Sequence, residues 1–529
     1  MTYSPTALWT ALIAALILVG SGCSLTPQMD APEAEATLPD AYNTPLVEGG
    51  PLYAEDDSTR FDPADWWTAF DDPALNTLID TALVRNLDLE RTRAVVNEIA
   101  SQFRIARAPL FPQATVNGSY NRQAQPSNTG IGGALGGGGG GNVPDRFTFD
   151  TYSLSLSLSY ELDFWGRLRN QRGAALERFM GSVDAVQTAR QQVIAQTIST
   201  YFEVATLERQ IALGEETIRV LQERVDLAED RYNRGLVRSF EVYALRQELQ
   251  AAQAEQPQRE SQLADARGRL SVTLGQFVGD VDEAVMQAAR SAPRDEVLAD
   301  LQPVPPGLPS DLLMARPDLR ADARELNAAQ REIGVARANR LPSFSLTGEG
   351  GVQNSTLDDL LNIDQRFTSL VASIAAPVFQ AGRLRAEQDA AEARYVQARA
   401  TYEQTLLTAL QEVHAALTAY EKQQEQYALV QDQLEQAEAS ASDQMRRYER
   451  GIGDYAATLD AERTRLQVAQ RLAAAEEALV GSRIAVHRAL GGAWVAPPET
   501  DDPRLFRGDY RPEAVSQAMP APSPDRARP

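Results

Sequence analysis

The chain has 529 residues, 43% hydrophobic and 23% charged, which is enough for several cores and excludes a wholly disordered polymer. Its formal charge of −23 repels phosphate backbones, so no nucleic acid is expected as a partner. Two histidines, His414 and His487, and a single cysteine, Cys23, leave no ligand set for zinc or an iron–sulfur cluster and no disulfide framework, so no metal, cofactor or enzymatic site is expected.

At the N-terminus, residues 7–19 are nearly all apolar and lead through Gly20-Ser21-Gly22 to Cys23. A helix that spans a bilayer needs about 20 apolar residues, so this shorter run suits the core of a signal peptide. The segment resembles a bacterial lipoprotein signal. That implies a signal peptide over residues 1–22, palmitate-type lipidation of Cys23, and an outer-membrane address with Ser24 next in line. It departs from the pattern in having no Lys or Arg before the apolar run and Gly20 where a larger aliphatic residue is usual. A plain secretory signal with an incidental cysteine is the alternative. Residues 23–60 are rich in Pro, Ala and acids without hydrophobic period, as an extended tether would be, and residues 495–529 form a similar tail.

Farther along, Tyr152, Leu154, Leu156, Leu158 and Tyr160 alternate with Ser153, Ser155, Ser157 and Ser159, which predicts a strand with one apolar and one polar face. Tyrosines at both ends and leucines between them suit the lipid side of a membrane barrel strand. An ordinary antiparallel sheet over a core is the other reading. Companion strands are expected over residues 113–122, 343–353 and 367–379. The glycine run 130–141 lacks the Lys-Ser/Thr ending of a phosphate loop and suits an external loop at a barrel mouth.

No proline occurs between Pro144 and Pro257 or between Pro377 and Pro497. Unbroken helices over 167–231 and 383–447 would each reach about 100 Å. Leu406, Leu410, Val413, Leu417 and Tyr420 step by four and three, the seam of a coiled coil. Each long helix ends at an Arg-Tyr-x-Arg-Gly group, Arg231 to Gly235 and Arg447 to Gly451, where glycine permits reversal into a return helix over 241–274 or 458–490. Pro257 is expected to kink or interrupt the first return helix. Trp66 and Trp67 suit core packing better than a ligand site, and both histidines suit packed or solvated roles.

The chain is also internally duplicated. Ala106-Arg107-Ala108 with Pro112 matches Ala336-Arg337-Ala338 with Pro342 at an offset of 230, whereas Gly166-Arg167-Leu168-Arg169 matches Gly382-Arg383-Leu384-Arg385 at 216. The expected division is a first repeat over 61–278 (helix, two strands, long hairpin), a linker over 279–310 and a second repeat over 311–494. Four strands cannot close a barrel, and open edges in hydrocarbon cost several kcal/mol per unpaired group, so identical copies must complete it. Known membrane barrels start at about 8 strands; two copies are the minimum and three give twelve.

From Trp66-Trp67 and Pro73-Ala74-Leu75 onward the residues resemble the TolC-like outer-membrane channels of tripartite efflux pumps, in their lipoprotein branch. Leu308-Pro309-Ser310-Asp311-Leu312-Leu313 with Arg316-Pro317-Asp318-Leu319, and Ile333-Gly334-Val335-Ala336-Arg337-Ala338 before Leu341-Pro342, carry the likeness. It implies an α+β membrane protein: a homotrimer with a 12-stranded outer-membrane β-barrel continued by a periplasmic α-helical coiled-coil barrel. It also implies a periplasmic adaptor (membrane fusion protein) and an inner-membrane transporter of the RND type as partners, passive conduction of drugs and toxic compounds, and a gate at the helical tips.

Residue by residue, the resemblance makes Gly235, Leu236, Val237, Gly451 and Ile452 adaptor contacts, although turn glycines with a hydrophobic plug would look the same. It makes Asp460 an acidic ring at the periplasmic aperture, against the alternative of a solvated helix charge; some members have a second acid where Ala457 stands here. It gives Arg447 and Tyr448 polar links to a neighbouring hairpin that hold the closed state. A lipid-anchored coiled-coil scaffold without a pore is the rival from another class, and it has no use for the Tyr/Leu–Ser alternation.

Overall fold

The computed structural model describes residue 27 and residues 63–126, 146–278 and 316–492. Cys23, residues 1–22 and 28–60, the glycine run 130–141, the linker 279–310, the segment 308–313 and the tail 495–529 lie outside the described residues. No described helix is long and apolar enough to cross a membrane. After a 3-10 helix at Pro63–Phe70, the elements are α1 Pro73–Arg85, α2 Leu87–Arg107, β1 Gln113–Pro126, β2 Arg146–Leu162, α3 Arg167–Asn233, α4 Ser239–Thr273, α5 Pro317–Ala338, β3 Ser343–Asn354, β4 Arg366–Ala375, α6 Arg383–Glu449 and α7 Tyr455–Ala489. The duplication is visible in them. Both long helices have 67 residues and both return helices 35, and α6 and α7 start 216 positions after α3 and α4.

The chain divides into two compact units, each described here by itself. In the first unit the strands form one antiparallel sheet in the order β1-β2-β3-β4. Its register carries the β2 alternation across the whole sheet, because directly opposed residues share a face. Val116, Leu156 and Gly350 lie in one row and Tyr160, Leu346 and Ala372 in another. The opposite face is mostly polar, with rows such as Asn117, Ser155 and Gly351 or Ser159, Thr347 and Val371. Leu154, Leu156, Leu158, Leu370 and Ile374 are exposed, so the apolar face does not cover a core of this chain among the described residues. β4 stops at Ala375, short of the expected 379, because Pro377 has no N–H to give to a ladder. β1 and β2 extend beyond the expected bounds, toward the segment that joins them.

Gly351 is required by close approach. A Cβ there would stand 2.3 Å from the Leu154 carbonyl oxygen and 2.7 Å from Ser155 Cα, whereas at Gly350 the nearest atom is 3.8 Å away. Gly351→Ala is therefore expected to pry β2 from β3 at about 2–3 kcal/mol. Heat-induced change in gel migration of the purified protein checks it: the variant should change at lower temperature, and Gly350→Ala should not.

In the second unit, α3 with α4 and α6 with α7 form two long hairpins. At each tip a glycine with positive φ, Gly235 at 73° and Gly451 at 74°, closes the helix in a Schellman turn. Leu236 N–H donates to the Arg231 carbonyl (2.9 Å) and Ile452 N–H to the Arg447 carbonyl (3.1 Å). α4 runs through Pro257 without the interruption that was one of the two outcomes expected there. Contacts with α3 hold that stretch in place: the preceding Gln256 donates its amide to the Ile211 carbonyl (3.2 Å), so tertiary packing outweighs the one backbone bond that proline removes.

Two apolar clusters hold this unit. One joins Trp66, Trp67, Phe70 and α1 to Ile194, Ile198 and Tyr201 of α3 and to Val480 and Ile484 of α7. The other follows the expected seam, with Leu406, Val413, Leu417 and Tyr420 of α6 against Leu472 and Leu479 of α7. Trp66 stacks on His487 with ring centroids 4.2 Å apart. Burial, aided by the nearby Arg483 charge, pushes the His487 imidazole down to about 3. A depressed folded value means that stability is full above the unfolded value near 6.5 and is lost as pH falls from there toward 3. Between about pH 7.5 and 4.5 the expected loss is about 2–3 kcal/mol per chain. Urea midpoints across that range should show the slope, and His487→Phe, which keeps a ring on Trp66, should flatten it.

Candidate functional site at the hairpin tips

At the tips, the first hairpin packs α3 on α4 through Leu221, Val225 and Leu249. The second hairpin lays α7 on α3 through Leu459, Leu466 and Val220. Over these apolar contacts lies a ladder of polar links from hairpin to hairpin. Arg231 Nη2 of α3 meets Asp454 Oδ1 at 2.6 Å. Asp454 also accepts from the Ala456 N–H (3.2 Å) as the N-cap of α7, so one carboxylate both starts that helix and ties it to the other hairpin. Next along α7, Tyr455 donates its hydroxyl to Glu223 Oε2 at 2.6 Å. Arg224 Nη2 lies 2.7 Å from Asp460 Oδ1, and Arg465 Nη2 reaches Glu216 Oε1 at 3.3 Å.

The titrations of two members follow from these contacts. The hydrogen bond from Arg231 holds the Asp454 carboxyl below the usual range. The Tyr455 hydroxyl, bonded to a carboxylate that disfavours its ionisation, is pushed up to about 12. Both links therefore persist across the neutral range. Most of these side chains are partly exposed, and such pairs are worth about 0.2–1 kcal/mol each, strong enough to bias an equilibrium and weak enough to release.

The residues singled out in the sequence are placed as follows. Asp460 is half exposed and paired with Arg224, and Ala457 is exposed one turn before it. Arg447 binds Asp443 of its own helix at 2.7 Å, and Tyr448 packs on Tyr455 across its own tip with centroids 4.8 Å apart. Among the described residues neither is paired with the other hairpin. Among the described residues links between the hairpins run from Arg231 and Glu223 of α3 to Asp454 and Tyr455 of α7, and from Glu248 of α4 to Arg463 of α7. Leu236 and Ile452 are exposed by 70% and 77%, and Val237 is partly buried. Arg231 could have been found as the repeat counterpart of Arg447, and Asp454 as an Asp directly before a helix. Glu223 and Arg224 carry no local signal of this role, since the partners that link them to the other hairpin, Tyr455 and Asp460, lie more than 200 residues away.

The profile of the outer membrane efflux protein family matches residues 78–276 and 308–492, covering both repeats and both hairpins. The chain belongs to this family. It is 31% identical over 492 residues to the antibiotic efflux pump outer membrane protein ArpC of Pseudomonas putida, covering 91% of this chain and 95% of that one. It is 30% identical over 475 residues to the cation efflux system protein CusC of Escherichia coli O6:H1, covering 90% and 96%. Its fold is similar to the open state of the MtrE outer membrane channel of Neisseria gonorrhoeae, with a TM-score of 0.73 at 26% identity over 89% of this chain and 98% of that one. As an outer membrane efflux protein, the chain is the outer-membrane component of an efflux pump.

Proposed function

We propose that three copies of this chain form the exit duct of a tripartite pump, each supplying four strands to a twelve-stranded barrel and two hairpins to a helical tube. The open four-stranded sheet carries this reading. It has one apolar and one polar face, and β1 and β4 each keep an outer edge without a strand partner among the described residues. Alternating directions make β4 of one copy antiparallel to β1 of the next, so repetition closes the cylinder and pairs both edges. Tyr152, Leu154, Leu156, Leu158 and Tyr160 then face lipid and the serines face the lumen.

In this reading Cys23 carries the lipid anchor. Leu236, Val237 and Ile452, beside Gly235 and Gly451, meet a periplasmic adaptor that links the duct to an inner-membrane transporter of the RND type. The tips form the gate, held shut by the Arg231–Asp454 and Tyr455–Glu223 links, and Asp460 beside Ala457 narrows the aperture, shared between Arg224 and an acidic ring. Small toxic organic molecules are the cargo. The test is conductance of the purified protein in planar bilayers together with accumulation of antibiotics and copper in a deletion strain. Trimeric migration, conducting pores and raised antibiotic accumulation are expected; a non-conducting monomer would leave the pore-free scaffold standing, and raised copper alone would change the cargo.

A further inference from the structure

Within one chain the hairpins are latched where α3 meets α7. The repeat offset of 216 assigns to the residues of that contact counterparts on α6 and α4. Of these, Ala439 and Ser440 on α6 and Ser239, Tyr243 and Ala244 on α4 are exposed in the single chain, whereas Leu249, the counterpart of Arg465, is buried against α3. We infer from the repeat that, in the three-copy reading, α6 of one copy takes toward α4 of the next the place that α3 takes toward α7 inside the chain.

The latch is missing there. Glu223 and Tyr455 are replaced by Ala439 and Ser239, and Arg224 and Asp460 by Ser440 and Ala244. Arg231 is kept as Arg447, but the position of Asp454 is taken by Arg238. Arg238 is exposed, makes no side-chain cap for α4, and has no ion pair among the described residues. Among the described residues Arg447 pairs with Asp443, which it shares with Arg446, and it lies 58% exposed. The seam therefore sets arginine against arginine where the chain interior sets arginine against aspartate. The acids closest in sequence are Glu241, one turn into α4, and Glu449 beside Tyr448. Around the pair stand Tyr232, Leu236, Phe240 and Ile452, exposed by 48%, 70%, 76% and 77%.

We propose that Arg447 of one copy and Arg238 of the next form a paired cationic site at each seam between copies, which receives a carboxylate from an acid-bearing, partly apolar segment of the protein docked at the tips. That carboxylate takes the place Asp454 holds inside the chain, bridging two guanidinium groups that otherwise repel. The inference rests on the three-copy reading above, and it makes docking sites of two kinds around the ring, of which only the seam needs an outside charge.

The test uses the purified full-length protein in detergent and planar bilayers. Arg238→Asp rebuilds the internal latch at the seam, so it should raise the temperature at which the trimer dissociates and lower conductance. Arg447→Asp should do the same, and Arg238→Asp with Arg447→Asp should reverse the gain. Poly-L-glutamate, at constant ionic strength, should raise the dissociation temperature of the wild type and not that of Arg238→Gln with Arg447→Gln. Single charge swaps without effect, or polyglutamate acting equally on the Gln variant, would overturn the paired site. A wild type that conducts as a trimer in those same runs keeps the duct reading intact, and a monomeric wild type removes both.

Discussion

Asp454→Asn combined with Tyr455→Phe is expected to open the channel, raising single-channel conductance while leaving assembly intact. The double change removes the Arg231 and Glu223 links and keeps the Tyr455 ring on Tyr448 and the apolar contact of Leu459 with Val220. Two exposed links are worth about 1 kcal/mol per chain, and about 3 kcal/mol if three chains open together, which is roughly a hundredfold in the gate equilibrium. Arg246→Ala is the control. It breaks the pair with Glu229 inside the first hairpin, crosses no hairpin boundary and should leave conductance unchanged. The pH profile of the wild type should be flat over about pH 5–9 as far as these links are concerned, since the Asp454 link is lost only as pH falls through its lowered value and Tyr455 keeps its proton up to its raised one. A double variant with unaltered conductance would mean that the tips are held by something other than this ladder.

The parts that are legible in the sequence are those with a local signal. The duplication fixes the matching lengths of α3 with α6 and α4 with α7, glycine fixes the Schellman turns at Gly235 and Gly451, and alternation fixes β2. The weaker strands become readable only through register, because Gly348 and Gly350 of β3 show no apolar pattern until they lie opposite Leu158 and Leu156. Pro257 does not end its helix, since a helix supported by a neighbour along its length tolerates one missing hydrogen bond that an isolated helix would not. Most of the gate is hidden for a further reason. Arg447 and Arg231 have the same local sequence, yet only Arg231 meets the acid of another hairpin, and nothing within a few residues of either says which neighbour it has. A repeat reports what two copies share, whereas the latch depends on positions where they differ.

Arg320→Ala is expected to destabilise the second unit by about 3–5 kcal/mol, more than any tip variant, because its pair is buried. Arg320 Nε of α5 lies 2.8 Å from Asp184 Oδ1 of α3, with side chains 14% and 3% exposed. At the tip, a carboxylate that loses its arginine is hydrated at little cost; Asp184 has almost no access to water, so hydration cannot replace the lost arginine. The repeat again offers no second example, since the counterparts are Glu90 and Ala400. Loss of about 3 kcal/mol or more in a unit of this size corresponds to a fall of roughly 10 °C in apparent melting temperature, measurable by circular dichroism in detergent. The decisive comparison is Asp184→Leu with Arg320→Met, which removes both charges and restores packing volume. Its melting temperature should lie closer to the wild type than that of Arg320→Ala, because the penalty comes from stranding one charge and not from losing the attraction. If the double variant melts lower than the single one, the ion pair itself stabilises the contact of α5 with α3, and the burial cost has been overcome by the bond.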